Sequence, residues 1–407
     1  MPLYILFLLS ITLLGSIFIG PFSIRVYMVL FILVNLFWFK KNRGALKLDS
    51  YITQYVVFVI LMGISLVFNG EFERFMFIKY ALAYYLVAIV AYCATGVYVN
   101  TTTKIKRVEN TLLVIMAVTS VVTIMQYFNN PTGWFIGSMF GDINEVHQEW
   151  IDDAQNIDNL TGRSLAYGIM GFSFTNAMYI SSVGILAFGG IVNSNTFFKK
   201  MYYISLAILG LVACFMTQQR SAFYFMFAAF VVLTYIFFKH KLILFFGVIL
   251  LLLICSQSLD SLLSDDSFMG RLSLQTMGQD DTRERLLRNG LNFVADNTMW
   301  GGPLAYMDAN AGLPSHNFIL NALIYGGLFG GIILIVLFAK ILIKAIRLVF
   351  NKYKRNSSSF FCAIALICFL LQGMFHNESL ITGSTLLFVL FSLMLTSDKL
   401  ERPQFPN

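Results

Sequence analysis

The stretch Gly270–Gly331 reads GRLSLQTMGQDDTRERLLRNGLNFVADNTMWGGPLAYMDANAGLPSHNFILNALIYGGLFGG. It opens on a polar run carrying Arg271, Arg283, Arg285 and Arg288 and turns at Trp300-Gly301-Gly302-Pro303. It then reaches Ser315-His316-Asn317 at the lip of an apolar run holding Gly326, Gly327, Gly330 and Gly331. Nearly everything around it is apolar. A long polar segment kept between hydrophobic runs is where such a chain holds its chemistry.

The surroundings decide the fold class. Of 407 residues 58% are hydrophobic and only 12% charged. Apolar runs separated by short polar breaks read as transmembrane helices. The expected spans are 3–20, 22–39, 50–68, 77–99, 110–128, 168–192, 201–216, 221–238, 242–256, 317–339, 359–375 and 383–397. The chain is therefore expected to be an all-α polytopic membrane protein with about 12 transmembrane helices. Run length and the absence of alternation exclude a sheet. The expected order is helices one to five in 1–128, an acidic outer loop in 129–166 and helices six to nine in 167–256. A long Arg-rich outer loop in 257–316 follows, then helices ten to twelve and a tail in 317–407.

Orientation follows the basic residues. The breaks at 40–47, 104–107, 199–200, 239–241, 340–355 and the tail carry 19 of the 28 Lys and Arg, which puts both termini in the cytoplasm. Fourteen of those 19 are Lys, whereas eight of the nine on the other side are Arg. That outer side also holds 17 of the 21 acids. Arg grips phosphate or carboxylate with a planar fork. Each outer Arg either pairs with a loop acid or binds an anionic ligand. The five cysteines lie inside expected spans with no paired spacing, so neither disulfides nor a metal site is indicated. The net charge of +7 belongs to the cytoplasmic loops and does not indicate nucleic-acid binding. Met1–Gly20 lacks a basic leader and a small-residue cleavage site, so it reads as the first span.

On the outer side, Arg25 follows Pro21, and Glu71, Glu73, Arg74 and Lys79 flank the fourth span. The acidic loop ends in Thr161-Gly162-Arg163-Ser164, where Arg163 can grip an anion. Thr217-Gln218-Gln219-Arg220-Ser221-Ala222 makes a short polar turn whose side chains need partners near the membrane. Asp281 and Glu284 read as a helix start, and Leu287, Leu291 and Val294 give the helix an apolar face. Trp300-Gly301-Gly302-Pro303 and Gly312-Leu313-Pro314 read as turns, and His376-Asn377-Glu378 offers a carboxylate in the last outer turn. The glycines after His316 permit close helix contact.

Taken together, His316-Asn317, nine residues, Gly327, two residues and Gly330 resemble the signature of the bacterial O-antigen ligase/polymerase superfamily. Thr217 to Ala222 resembles that family's Thr-x-x-Arg-Gly/Ser-Ala at the head of a helix. Gly270-Arg271, Asp281, Arg285 and the Gly-Gly-Pro turn precede the His as in relatives. The likeness covers residues 200–397 and extends to the first half only in hydropathy. It implies a GT-C-like architecture in the bacterial inner membrane and glycosyl transfer at its outer, periplasmic face. The implied donor is a glycan on undecaprenyl pyrophosphate, handled without metal or other cofactor. The acceptor is a second lipid-linked repeat unit in a polymerase, or lipid A-core in a ligase. A chain-length regulator protein is an implied partner.

In that chemistry His316 is the expected general base, and Arg220, Arg285 and Arg288 the pyrophosphate ligands, with Arg163 and Arg271 behind them. Glu378 is the expected supporting carboxylate, and Gly327 and Gly330 are motif glycines. Ligases tend to show Leu four residues after the motif Arg. Here that place is Tyr224, which favours a polymerase over a ligase. A lipid-linked oligosaccharide flippase stays open as the third reading, though no internal repeat of the kind transporters show is visible.

Overall fold

A computed structural model of the chain describes residues 1–13, 18–19, 22–43, 49–140, 166–170, 173–217, 219–237, 281–310, 313–315, 317–351, 355–374 and 380–401. Its helices are α1 (Pro2–Leu13), α2 (Ile24–Arg43), α3 (Ser50–Phe68), α4 (Phe77–Tyr80), α5 (Leu86–Tyr98), α6 (Thr102–Tyr127) and α7 (Pro131–Phe140). They continue as α8 (Ser173–Asn193), α9 (Phe197–Met216), α10 (Arg220–Phe237), α11 (Asp281–Asp296) and α12 (Pro303–Ala309). The last three are α13 (Phe318–Val349), α14 (Ser358–Gly373) and α15 (Thr385–Leu400). A π-helical turn, Ala81–Tyr85, joins α4 to α5. The strands among the described residues are a two-residue antiparallel pair, β1 (Phe18–Ile19) with β2 (Phe22–Ser23).

Among the described residues five helices are long and apolar enough to cross a membrane: Ser50–Phe68, Phe77–Tyr98, Thr102–Tyr127, Ser173–Asn193 and Phe197–Met216. Four further apolar helices run 10–17 residues. The expected ninth span, 242–256, lies outside the described residues. But for that one strand pair, the regular structure of the described residues is helical, and its apolar helices are those of a membrane protein.

The chain divides into two compact units, Met1–Thr111 with Asp281–Asn407, and Leu112–Asp280. In the first, α3 packs along α13, α14 lies against α13 and α15, and α5 against α15. Asp49 starts α3 by accepting the N–H groups of Tyr51 and Ile52. Glu401 closes the far end, its carboxylate accepting from Ser358 N at 3.0 Å and Ser359 N at 3.2 Å at the head of α14. Lys344 on α13 pairs with the buried Asp398 on α15 at 3.1 Å. In the second unit α8 packs against α9 and α10, and α7 and the part of α6 from Leu112 onward belong to it too.

Several sequence expectations change. The tenth span, expected to end at 339, runs on to Val349, so Lys340, Lys344 and Arg347 ride on a helix and not in a loop. Gly302-Pro303 reads as a turn, but the Pro is the first residue of α12, and Pro131, in the stretch expected as the acidic outer loop, is the first residue of α7. A fixed φ and a missing N–H suit that position. On α11 the apolar face is also rotated. Leu286 is 1% exposed, while Leu287 and Leu291 are 40% and 55% exposed. The buried side is Leu286, Gly290 and Phe293, one residue round from the Leu287-Leu291 pair.

Candidate functional site

In the first unit the site is built around a broken helix. Asn317 caps α13, its Oδ1 accepting from Ile319 N at 3.0 Å and Leu320 N at 3.2 Å. Ser315 Oγ donates to Asn321 Oδ1 at 2.6 Å, and Ser315 N donates to the same oxygen at 3.3 Å. The residues on either side of His316 are thus tied to the first turn of α13. Phe318 N donates to Met374 O at 3.3 Å. That bond joins a position two residues after His316 to one four residues before Glu378.

Ten residues after its cap α13 breaks at Gly327, whose φ of 59° and ψ of −166° lie where only glycine sits without strain. The break frees backbone groups that must be satisfied elsewhere. Leu328 N, which would bond Ile324 O in an intact helix, donates instead to Met299 O at 3.3 Å. Ile324 O accepts from Gly302 N at 2.9 Å. The Trp300 turn and the helix break therefore complete each other's hydrogen bonds. Gly301 and Gly302 also take positive φ, 69° and 138°. A Cβ at Gly301 would run into the Ile324 carbonyl, and one at Gly327 into the Met299 carbonyl. Gly330 behaves differently: a Cβ there would meet Leu61 at 3.5 Å, so it only eases the α3–α13 packing.

The end of α3 clamps the same turn. Ser65 Oγ and Asn69 Nδ2 both donate to Trp300 O, the latter at 3.0 Å, and the Phe68 ring stacks on Trp300 at 4.2 Å. Glu71, itself buried, accepts from Leu304 N at 3.1 Å and Ala305 N at 2.8 Å, capping α12 from 233 residues away. Arg74 makes a bidentate pair with Asp308 at 2.7 and 2.8 Å. Hydrogen bonding to Asp308 pushes the Arg74 pKa further up. Both partners are exposed, so the pair serves alignment more than stability.

Helix α11 rests on this framework. Tyr306, Leu320 and Ile324 form a buried cluster against which Phe293, Val294, Met307 and Tyr325 pack. Tyr306 Oη donates to Leu286 O at 2.9 Å, and burial pushes its phenol pKa up. Asn289 Nδ2 donates to Asn310 Oδ1 at 2.7 Å. With its buried face held, α11 turns Arg285 and Arg288 outward. Arg288 pairs with Glu284 at 3.0 Å one turn back, an exposed contact that leaves its other guanidinium N–H groups available. No acid among the described residues pairs with Arg285.

In the second unit the motif turn is anchored from inside. Thr217 Oγ1 donates to Cys214 O at 2.7 Å, and Gln219 Nε2 donates to Ser173 Oγ at 3.1 Å. Gln219 thereby has the partner its position requires. Arg220 is the first residue of α10. Earlier in the same unit, residues Ala166–Ile169 are buried without being helical, which a membrane interior tolerates only where protein satisfies the backbone. Gln126 does so: Gly168 N donates to its Oε1 at 2.8 Å, and its Nε2 donates to Gly168 O at 3.1 Å. Asn176 links Thr119 and Thr123 at 2.7 Å each, and Ile169 N donates to Thr119 Oγ1 at 3.1 Å.

Of the site residues expected from the sequence, Arg285, Arg288, Gly327 and Gly330 are described in full. The first three lie on one framework of α11, the Trp300 turn and α13. Arg220 is placed by its backbone only. His316, Glu378, Arg163 and Arg271 lie outside the described residues. The sequence reading missed Ser65, Asn69 and Glu71 as supports of the Trp300 turn. Their partners are more than 230 residues away, and no local pattern announces that. Among the described residues, no three His, Cys, Asp or Glu side chains gather as a metal site.

A family model described as O-antigen ligase matches residues 204–335. That stretch, about a third of the chain, is similar to the O-antigen ligase/polymerase superfamily, whose members are glycosyltransferase-like enzymes. No curated protein matches the chain.

Proposed function

We propose that the protein is an O-antigen polymerase of the bacterial inner membrane. It would join undecaprenyl-pyrophosphate-linked repeat units on the periplasmic face, with both termini cytoplasmic and about twelve spans in a GT-C-like arrangement. The observation that carries this reading is the extent of the family match. Residues 204–335 take in the Arg220 turn, the Arg285/Arg288 helix and the His316–Gly330 signature together.

The chemistry is one displacement. The acceptor hydroxyl oxygen attacks the anomeric carbon of the donor sugar, and the bond from that carbon to the pyrophosphate oxygen breaks, with inversion. His316 takes the hydroxyl proton, oriented by Glu378, a step that general-base catalysis typically accelerates by about 10²–10⁴-fold. Arg220, Arg285 and Arg288 stabilise the departing pyrophosphate electrostatically, supported by Arg163 and Arg271, so no metal is required. The acceptor is the terminal sugar of a second lipid-linked unit, and a chain-length regulator would govern the product.

The family description favours a second reading, O-antigen ligase, with lipid A-core as acceptor. Tyr224, four residues after Arg220, weighs toward the polymerase. Loss of a polymerase leaves lipid A-core bearing one repeat unit, whereas loss of a ligase leaves none. Reconstitution with the lipid-linked repeat unit, with and without lipid A-core, tests both readings and the flippase alternative, which would form no glycosidic bond. His316→Ala should abolish polymer at normal expression; near-normal chain length would reject the base assignment. Arg→Lys at 220, 285 and 288 should be nearly as damaging as Ala if the planar fork is what matters.

A further inference from the structure

The first turn of α2 holds an arginine that the mechanism above does not use. Arg25 places its guanidinium over the Tyr84 ring, 5.9 Å from the centroid. Its Nε is buried and finds no hydrogen-bond partner among the described residues, and none of their ion pairs includes it. A cation near a helix N-terminus opposes the helix dipole, so Arg25 is not there to stabilise α2. A buried cationic N–H without an acceptor is destabilising, and an anion bound from outside the chain would supply one. A guanidinium carries five N–H donors in a planar fork that matches a phosphate.

The ring under Arg25 belongs to a row. Tyr84 stacks on Tyr80 at 5.5 Å, Tyr80 lies 5.3 Å from Phe75, and Phe75 meets Tyr325 of α13 at 6.1 Å. Tyr325 packs against the Tyr306–Leu320–Ile324 cluster under α11. The row thus runs within one unit from Arg25 to the framework beneath Arg285 and Arg288. Local backbone is distorted to make it. Met76 takes a left-handed φ of 51° just before α4, and Ala81–Tyr85 is a π-helical turn, a feature frequent at functional sites. Tyr80 is exposed, offering a ring face and a hydroxyl, which suits a saccharide's C–H face and its alcohols.

We propose that Arg25, held by Tyr84, is a phosphate-binding site, and that the ring row from Tyr84 to Tyr325 is the track along which a saccharide attached to that phosphate reaches the framework beneath Arg285 and Arg288. The phosphate chemistry stands on the geometry alone. Assigning it to a second lipid-linked saccharide rests on the polymerase reading, which needs two such molecules. A phospholipid headgroup is the other source of the same group.

The test counts bound lipids. Full-length protein in detergent is titrated with a polyprenyl diphosphate and, separately, with phosphatidylglycerol, and native mass spectrometry reports the number retained. The wild type should retain two diphosphate lipids. Arg25→Ala should weaken one of them by about 10- to 100-fold, the range expected for losing a charge-assisted contact. Arg25→Lys, which keeps the charge, should fall between the two. If Arg25→Ala releases phosphatidylglycerol and leaves both diphosphate lipids, the phosphate site stands and the saccharide track is rejected. If Arg25→Ala does not fold, Tyr84→Leu replaces it and should weaken the same lipid several-fold by about the strength of one cation–π contact. Wild-type retention of both lipids by a folded variant overturns the site. If instead the wild type retains no diphosphate lipid and Arg288→Ala changes nothing, the polymerase reading fails, while Arg25-dependent phosphatidylglycerol binding would still support the phosphate site.

Discussion

Gly327 and Gly330 stand three residues apart in one signature, and their replacement by alanine should have opposite outcomes. At Gly327 the backbone sits at φ 59° and ψ −166°. Holding an L-residue there costs roughly 1–3 kcal/mol. The new methyl would collide with the Met299 carbonyl and lie 2.9 Å from Trp300 Cα, both backbone atoms that cannot swing aside. Overpacking of that kind adds about 1–3 kcal/mol, so Gly327→Ala should cost roughly 2–6 kcal/mol in all. That is a large share of the ~5–15 kcal/mol by which proteins are ordinarily stable. At Gly330 the backbone is helical and the added methyl would meet Leu61 and Phe58 at 3.5 and 3.7 Å, ordinary contact distances. Gly330→Ala should be neutral, or stabilising by about 0.5–1 kcal/mol through the unfolded chain. The assay is thermal unfolding of each purified variant in detergent. Gly327→Ala should melt lower by roughly 4–12 °C and Gly330→Ala within about 2 °C of the wild type. Gly327→Ala melting with the wild type would refute the interlock between the Trp300 turn and the break in α13.

Three further outcomes follow from the same framework. Glu71→Ala leaves two N–H groups at the head of α12 without their charged acceptor and should destabilise by about 2–4 kcal/mol, while Glu71→Gln, which keeps one acceptor oxygen, should lose about half of that in chemical denaturation. Leu286→Ala should cost about 2–4 kcal/mol, whereas Leu287→Ala and Leu291→Ala should each stay within about 0.5 kcal/mol. The reverse pattern in unfolding midpoints would restore the face read from the sequence. Asn176→Ala strands the Thr119 and Thr123 hydroxyls in the interior and should lower stability by about 1–3 kcal/mol, with amide exchange at Gly168 and Ile169 speeding up before the rest of the second unit.

Long apolar runs made the helices legible from composition alone. Asn317 caps its helix because a capping side chain acts within three residues of itself, and the helix expected from Asp281 does start there. The face of α11 was not legible. Leu286, Leu287 and Leu291 are equally apolar, and only the presence of Tyr306 and Leu320 on one side decides which is buried. Gly327 was read as permitting close helix contact. Its actual role, a break completed by a loop 25 residues earlier, depends on backbone torsion and a distant partner, neither of which glycine's identity specifies.

The placement of Glu71 and Arg74 bears on the Arg-rich outer side itself. Eight arginines stood opposite 17 acids, and each could have been either a structural pair or a ligand grip. The structure sorts the described ones by what surrounds them. Arg74 is spent on Asp308 in a two-pronged contact that leaves little of its fork free, and its partner belongs to the helix that Glu71 caps. Arg288 touches Glu284 through one nitrogen only, and Arg285 has no acid among the described residues. Arg25 is stacked and unpaired among the described residues. Free fork capacity therefore rises from Arg74 through Arg288 to Arg285 and Arg25. An anionic lipid substrate should be felt by the last three and not by the first. Arg74→Ala should leave diphosphate-lipid retention unchanged even where it loosens α12. A loss of retention there equal to that of Arg288→Ala would show that pairing to an acid does not separate structural arginines from binding ones in this protein.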